Sequence, residues 1–164
     1  MIPKKMEESI NKQINEEFYS AYLYLAMSGY FESVDLPGFA HWMHAQYLEE
    51  MEHGMKFWHH LVDRGGTVKL YAIQEPQREW DSPLAAFQAA LEHERHITGR
   101  IHALVDLAEE VKDRAAYNLL QWYVDEQVEE EASVEAIIAR LEMVGGSGNG
   151  MLMVDRELGQ RQTG

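Results

Sequence analysis

The chain has 164 residues, of which 46% are hydrophobic and none is cysteine, and its formal net charge is −14. That length and apolar content suit one domain with a full core, and the lack of cysteine excludes disulfides, zinc ribbons and cysteine-held iron–sulfur clusters. The acidic balance argues against nucleic acid as a partner and favours cations. No apolar run approaches the roughly 20 residues that span a bilayer, and no charged-then-apolar start resembles a secretion signal, so no membrane partner and a cytoplasmic setting are expected.

Four prolines in the whole chain and long runs of 3.6-residue periodicity predict an all-α fold. Residues 5 to 33 read as the first helix, with a stripe of Ile10, Ile14, Glu17, Ala21, Tyr24 and Ser28 and with Leu25 alongside. A turn over Val34–Gly38 stops it, and residues 38 to 64 form the second helix, closed by Gly65 and Gly66. Its stripe is Phe39, Met43, Tyr47, Gly54, Phe57 and Leu61, with Glu50 on the same face and His53 one turn along. Residues 66 to 82 form a connection long enough to run the length of a bundle. Ser82 as N-cap and Pro83 at the first helical position start the third helix, which runs to about Val111. Its stripe includes Phe87, Ala90, Glu94, Ile97, Ile101 and Leu104. A break at Lys112 and Asp113 leads to the fourth helix, residues 114 to 144, with Leu120, Tyr123, Gln127, Glu130, Val134 and Ile137 on one face. Residues 149 to 159 predict a short fifth helix whose apolar side is Met151, Leu152, Val154 and Leu158. The architecture expected is a four-helix bundle of two hairpins (residues 5–144), a long crossover and a short C-terminal helix, all in one domain over 1–164.

An internal repeat sharpens this. Adding 77 to the residue number turns Glu17 into Glu94, Glu49 into Glu126, Glu50 into Gln127, Glu52 into Glu129 and His53 into Glu130. Each hairpin thus carries one carboxylate on its first helix and a polar cluster on its second. Glu17 and His53 stand nearly equidistant from the first turn, and Glu94 and Glu130 hold the same places about the second, so all four should meet at one level with Glu50. A carboxylate facing a core costs several kcal/mol unless its charge is compensated. Four of them carry about −4, which two divalent ions would neutralise. Carboxylate oxygen with imidazole nitrogen at i, i+3 suits iron, manganese or zinc, and a central carboxylate such as Glu50 can bridge two ions. The competing reading is a carboxylate network that shares protons, which would leave several acids without basic partners.

The segments Asn15-Glu16-Glu17-Phe18-Tyr19-Ser20, Glu49-Glu50-Met51-Glu52-His53, Glu94 and Asn118 to Glu131 resemble those of prokaryotic non-haem ferritins, and the resemblance covers essentially the whole chain. It implies a di-iron ferroxidase centre. One iron would be held by Glu17, Glu50 and His53, the other by Glu50, Glu94 and Glu130, with Gln127 as a polar neighbour. It implies a third, weaker iron site from Glu49, Glu126 and Glu129, joined to the centre by Glu130. Tyr24 and Trp122 match aromatics that supply an electron in the family, although core packing accounts for both equally well. The resemblance further implies ferrous iron and O2 or H2O2 as substrates, and a hollow homo-oligomeric shell of roughly 24 copies that stores ferric oxyhydroxide.

No haem is expected. The second hairpin lacks the E-x-x-H of haem-containing relatives, and Met51 reads as packing. His93 and His96, His41 and His44, and His59 and His60 read as surface or interface histidines. Two other functions compete with iron storage. A di-iron enzyme that reduces peroxide would often carry a cysteine-rich electron-transfer module. A metal-free helical binding module should have apolar stripes throughout.

Overall fold

The computed structural model describes residues 1–163. Five helices follow one another: α1 Lys4–Ser33, α2 Pro37–Asp63, α3 Pro83–Glu110, α4 Arg114–Val144 and α5 Gly148–Leu158. Helix α1 packs most extensively on α2, and α3 on α4, so the bundle is built from two hairpins with α5 across α2 and α4. The 77-residue offset survives in the boundaries, since α1 and α3 end at Ser33 and Glu110 while α2 and α4 begin at Pro37 and Arg114.

Local chemistry fixes the ends. Ser82, Asp113 and Ser147 each accept a hydrogen bond from the backbone N–H three residues on, at 3.0, 3.1 and 3.1 Å, and so cap α3, α4 and α5. Asp113 Oδ2 also accepts from Arg64 at 2.7 Å, which clamps the end of α2 to the start of α4. Gly65 takes a positive φ of 72° just past α2, and the N–H of Gly66 closes on the Leu61 carbonyl at 2.8 Å. Helix α2 begins at Pro37 and α5 at Gly148, each one residue earlier than expected. Proline at the first helical position loses no hydrogen bond there, which places it inside α2 rather than in the turn.

The connection from 64 to 82 follows α1 from its first turns to its last. Asn11 binds the backbone of Thr67 and Lys69 at 2.9 and 2.7 Å. Asn15 holds the carbonyl of Ala72 at 3.1 Å, and Trp80 reaches the Tyr30 ring at 5.6 Å. The crossover therefore spans the bundle, as its length predicts.

The core has two apolar ends. At the end that also takes Val154 and Leu158 of α5, Phe31 stacks on Phe39 and Phe87 meets Phe39 edge-on, with Tyr30, Val134 and Leu141 in the same cluster. Ile10, Phe57, Leu61, Ile101, Leu120 and Tyr123 fill the other. Burying each such side chain contributes roughly 1.5–3 kcal/mol. Between these ends lies a polar layer of Glu17, Glu50, His53, Glu94, Gln127 and Glu130, each no more than 5% exposed. One apolar-face assignment fails: Leu152 is 61% exposed, whereas Val154 and Leu158 are the buried residues of α5. Leu25, alongside the α1 stripe, is 41% exposed.

Candidate metal centre

Each helix of the bundle contributes to the layer because its apolar stripe is interrupted there by an acid, an amide or a histidine. Glu17 comes from α1, Glu50 and His53 from α2, Glu94 from α3, and Gln127 and Glu130 from α4. The expected convergence is met. Glu17, Glu50 and His53 each offer an atom lying within 4.8 Å of the others, and so do Glu50, Glu94 and Glu130. A third group consists of His53, Glu126 and Glu130. Every pair of groups shares one residue: Glu50, Glu130 or His53.

The remaining residues singled out in the sequence fall around these groups. Glu126 is half-buried, with an oxygen 3.7 Å from His53 Nε2. Glu49 and Glu129 stand outside the three groups; Glu49 pairs with Arg161 at 3.1 Å and Glu129 is exposed. Gln127 donates to Glu94 Oε2 at 3.1 Å and to Thr98 at 3.2 Å. Tyr24 donates to Glu94 Oε1 at 2.6 Å. Trp122 lies edge-on to His53, with ring centroids 5.4 Å apart, and the Lys56 ammonium sits 3.6 Å over its ring.

Three residues that periodicity did not reveal, Gln13, Gln46 and Thr98, hydrogen-bond to this layer, and Tyr123, already on the α4 stripe, borders it. Gln13 donates to Glu17 Oε1 at 3.0 Å, and Gln46 donates to Glu50 Oε1 at 3.0 Å and Glu130 Oε2 at 2.6 Å. Tyr123 donates to the His53 carbonyl at 2.6 Å. Thr98 donates to Glu131 at 2.7 Å. The glutamines had one signal in the sequence. Each precedes a ligand-type glutamate by four residues, one helical turn along the same face.

The electrostatics are those of a site short of positive charge. Among the described residues no lysine or arginine pairs with Glu17, Glu50, Glu94 or Glu130; the ion pair within the layer is His53 Nδ1 to Glu50 Oε2, at 3.2 Å. Burial, followed by the Glu50 charge, holds the Glu17 carboxyl well above its ordinary range. Burial and then Glu94 do the same to Glu50, and burial with Glu50 and Glu94 to Glu130. Glu94 is raised by burial, against the opposing hydrogen bonds from Tyr24 and Gln127. Glu17 Oε2 is buried with no hydrogen-bond partner. A cation would supply what all of these lack: charge for the carboxylates and a partner for that oxygen. The donor set, mostly hard oxygen with one imidazole, fits first-row divalent ions.

Comparison with known proteins agrees with this geometry. The ferritin-like domain family matches residues 7–144. A bacterial non-haem ferritin of Bacteroides fragilis is 42% identical over 161 residues, covering 98% of this chain and 100% of that one. The structure is similar to an open-pore ferritin of the hyperthermophilic archaeon Archaeoglobus fulgidus, with a TM-score of 0.98 at 54% identity, covering 99% of this chain and 100% of that one. It is also similar to a closed form of the A. fulgidus ferritin made by site-directed mutagenesis, with a TM-score of 0.99 at 53% identity and complete coverage of both chains. A polar layer with ligand-type side chains from all four helices, a crossover along the bundle, a short fifth helix and full-length similarity to these proteins together make the chain a member of the ferritin family, of the prokaryotic non-haem type.

Proposed function

We propose that the chain, acting as one domain over 1–164, is a cytoplasmic iron-storing ferroxidase. It takes up ferrous iron, oxidises it at the centre with O2 or H2O2, and passes the ferric product into a hollow homo-oligomeric shell of roughly 24 subunits. The observation that carries this reading is the pair of ligand groups sharing Glu50, whose four buried carboxylates pair with no lysine or arginine among the described residues.

In this reading Glu17, Glu50 and His53 hold one ferrous ion, and Glu50, Glu94 and Glu130 the other. Two ferrous ions together give up two electrons, which with two protons reduce O2 to H2O2. The residues of the chain set the conditions. The carboxylates must shed their protons to bind metal, so uptake releases protons that burial had retained. Tyr24 steadies Glu94, and its phenol, like the Trp122 indole, is close enough to the ligands to supply an electron. Gln127 is a neighbour of the second ion in this reading, its N–H groups donating to Glu94 and Thr98. The group of His53, Glu126 and Glu130, with Glu49 and Glu129 outside it, supports a third position at which iron is held more weakly. The burial of Glu126 raises its carboxyl, and the nearby Glu129 and Glu49 charges add to that. One histidine and a partly exposed third position would hold ferric product loosely, so it moves on into the store.

Size-exclusion chromatography with light scattering, before and after ferrous iron is added in air, tests the proposal. A particle near half a megadalton, about 24 copies of an 18.9 kDa chain, that takes up far more than two irons per chain is the expected result. A small oligomer that saturates at two per chain would leave the centre standing and remove storage.

A further inference from the structure

Two buried glutamines are tied to the ligands in the same way. Gln13 and Gln46 are 0% and 1% exposed. Gln46 Nε2 spends both N–H groups on ligand-type carboxylates, Glu50 at 3.0 Å and Glu130 at 2.6 Å. Gln13 Nε2 donates to Glu17 at 3.0 Å. A primary amide has an acceptor end and a donor end of nearly the same shape, so its neighbours set its direction.

Each amide oxygen meets an arginine. Arg161 Nη2 donates to Gln46 Oε1 at 3.0 Å, and Arg100 Nε donates to Gln13 Oε1 at 2.9 Å. A guanidinium only donates. It therefore claims the oxygen end of the amide and commits the NH2 end to the carboxylate. One oxygen of each carboxylate is thereby held, and in Glu17 the other oxygen is left without a protein partner.

Arg161 lies beyond α5, in the C-terminal segment, and is well anchored. Its Nη1 donates to the Trp42 carbonyl at 3.2 Å, and its guanidinium carbon sits 4.5 Å over the Trp42 ring. Its own carbonyl accepts from His41 Nε2 at 2.6 Å. Upstream, Asp155 accepts from the Phe39 N–H at 3.0 Å.

We propose that Arg161 and Arg100 are positioning residues of the metal centre, acting through Gln46 and Gln13, and that the C-terminal segment is thereby a working part of the centre. This rests on the assignment of Glu17, Glu50 and Glu130 as ligands. The physical reason is rotation. A carboxylate that binds an ion shares its charge, and its own hold on the amide weakens. The arginine keeps the amide aimed at that moment, so the carboxylate cannot swing away. Partners of this outer kind set ligand orientation and metal affinity together.

The test uses Co2+ as a redox-silent probe, read by its binding isotherm and visible absorption, beside the rate of aerobic iron oxidation. Arg161→Ala should weaken Co2+ binding about tenfold, at the lower end for outer partners of a metal site, and slow oxidation. Gln46→Met should do at least as much, and the double variant no more than Gln46→Met alone, because the effect passes through the amide. Arg161→Gln, which keeps a donor without the charge, should recover most of the affinity. Glu157→Ala removes a pairing of α5 with Arg140 and should leave Co2+ binding unchanged. Should Arg161→Ala fail to fold, the same cycle is read with Arg100→Ala and Gln13→Met, which lie on the bundle helices α3 and α1. Wild-type affinity in the arginine variants, or effects that simply add in the double variants, overturns the proposal. A wild-type protein that binds no Co2+ among the buried carboxylates would instead remove the ligand assignment beneath it.

Discussion

The Tyr24 hydroxyl reaches from α1 to α3 and donates a 2.6 Å hydrogen bond to Glu94 Oε1. It is a short hydroxyl–carboxyl hydrogen bond. Burial, and then the Glu94 charge, push the phenol well above its usual range, so it stays a donor. Tyr24→Phe keeps the ring in the core and removes only this bond. Stability in chemical denaturation should fall by about 1–2 kcal/mol, and iron oxidation followed by stopped-flow absorbance should slow by about tenfold. An oxidation rate equal to wild type would confine Tyr24 to packing.

Glu17 carries the one buried side-chain oxygen without a partner among the described residues. Its removal should therefore separate function from stability. Glu17→Gln should slow the fast phase of iron oxidation at least tenfold, as loss of a ligand does at about that scale or more. The metal-free protein should be no less stable than wild type near neutral pH, since a buried group whose ionisation is costly has been replaced by a neutral one of the same shape. Thermal melts beside oxidation rates check both, and unchanged oxidation would unseat Glu17 as a ligand.

The pH dependence follows from the same carboxyls. Glu17, Glu50 and Glu130 are held well above the ordinary carboxylate value, and Glu94 above it, first by burial. In the unfolded chain they titrate near 4.5. Between that value and their raised folded values the native state binds more protons than the unfolded one, so stability falls as pH rises. The metal-free protein should melt at a lower temperature near about pH 8 than near about pH 6. Zn2+ should flatten that slope and release protons on binding, measurable by titration calorimetry in buffers of different ionisation enthalpy. A slope that Zn2+ does not alter would place its origin on the surface.

Gly38 tests the docking of the C-terminal segment. A Cβ there would lie 1.7 Å from the Asp155 carbonyl oxygen and 2.5 Å from its carbon, both backbone atoms with little room to yield. Gly38→Ala should therefore displace α5 at a cost of about 1–3 kcal/mol or more. Faster proteolysis within residues 145–150 is the expected sign. Equal protease resistance would show that α5 can shift without leaving its groove.

Much of this was legible in the sequence because periodicity and hydrogen-bonding rules are local. The stripes of α2, α3 and α4, the cap at Ser82 and the stop at Gly65 follow from residues a few positions apart. Convergence at one level followed from distances to each turn, which a helical hairpin preserves. Arg161 was not legible. It lies 115 residues from Gln46, and no local rule links a C-terminal arginine to a glutamine on α2. Leu152 misled because an apolar residue beside a stripe has the same hydropathy as one on it.

The 77-residue offset makes the two hairpins near copies in backbone but not in chemistry. Helix α4 carries Gln127 and Glu130 where α2 carries Glu50 and His53. One half of the layer therefore presents two carboxylates with an imidazole, and the other presents three carboxylates, the same Glu50 among them. A symmetric duplication would have given two interchangeable pockets. This one is polarised, with the all-oxygen half the better host for a harder, more highly charged ion. The two halves of the layer thus differ in donor chemistry, a distinction that the matching helix boundaries do not carry.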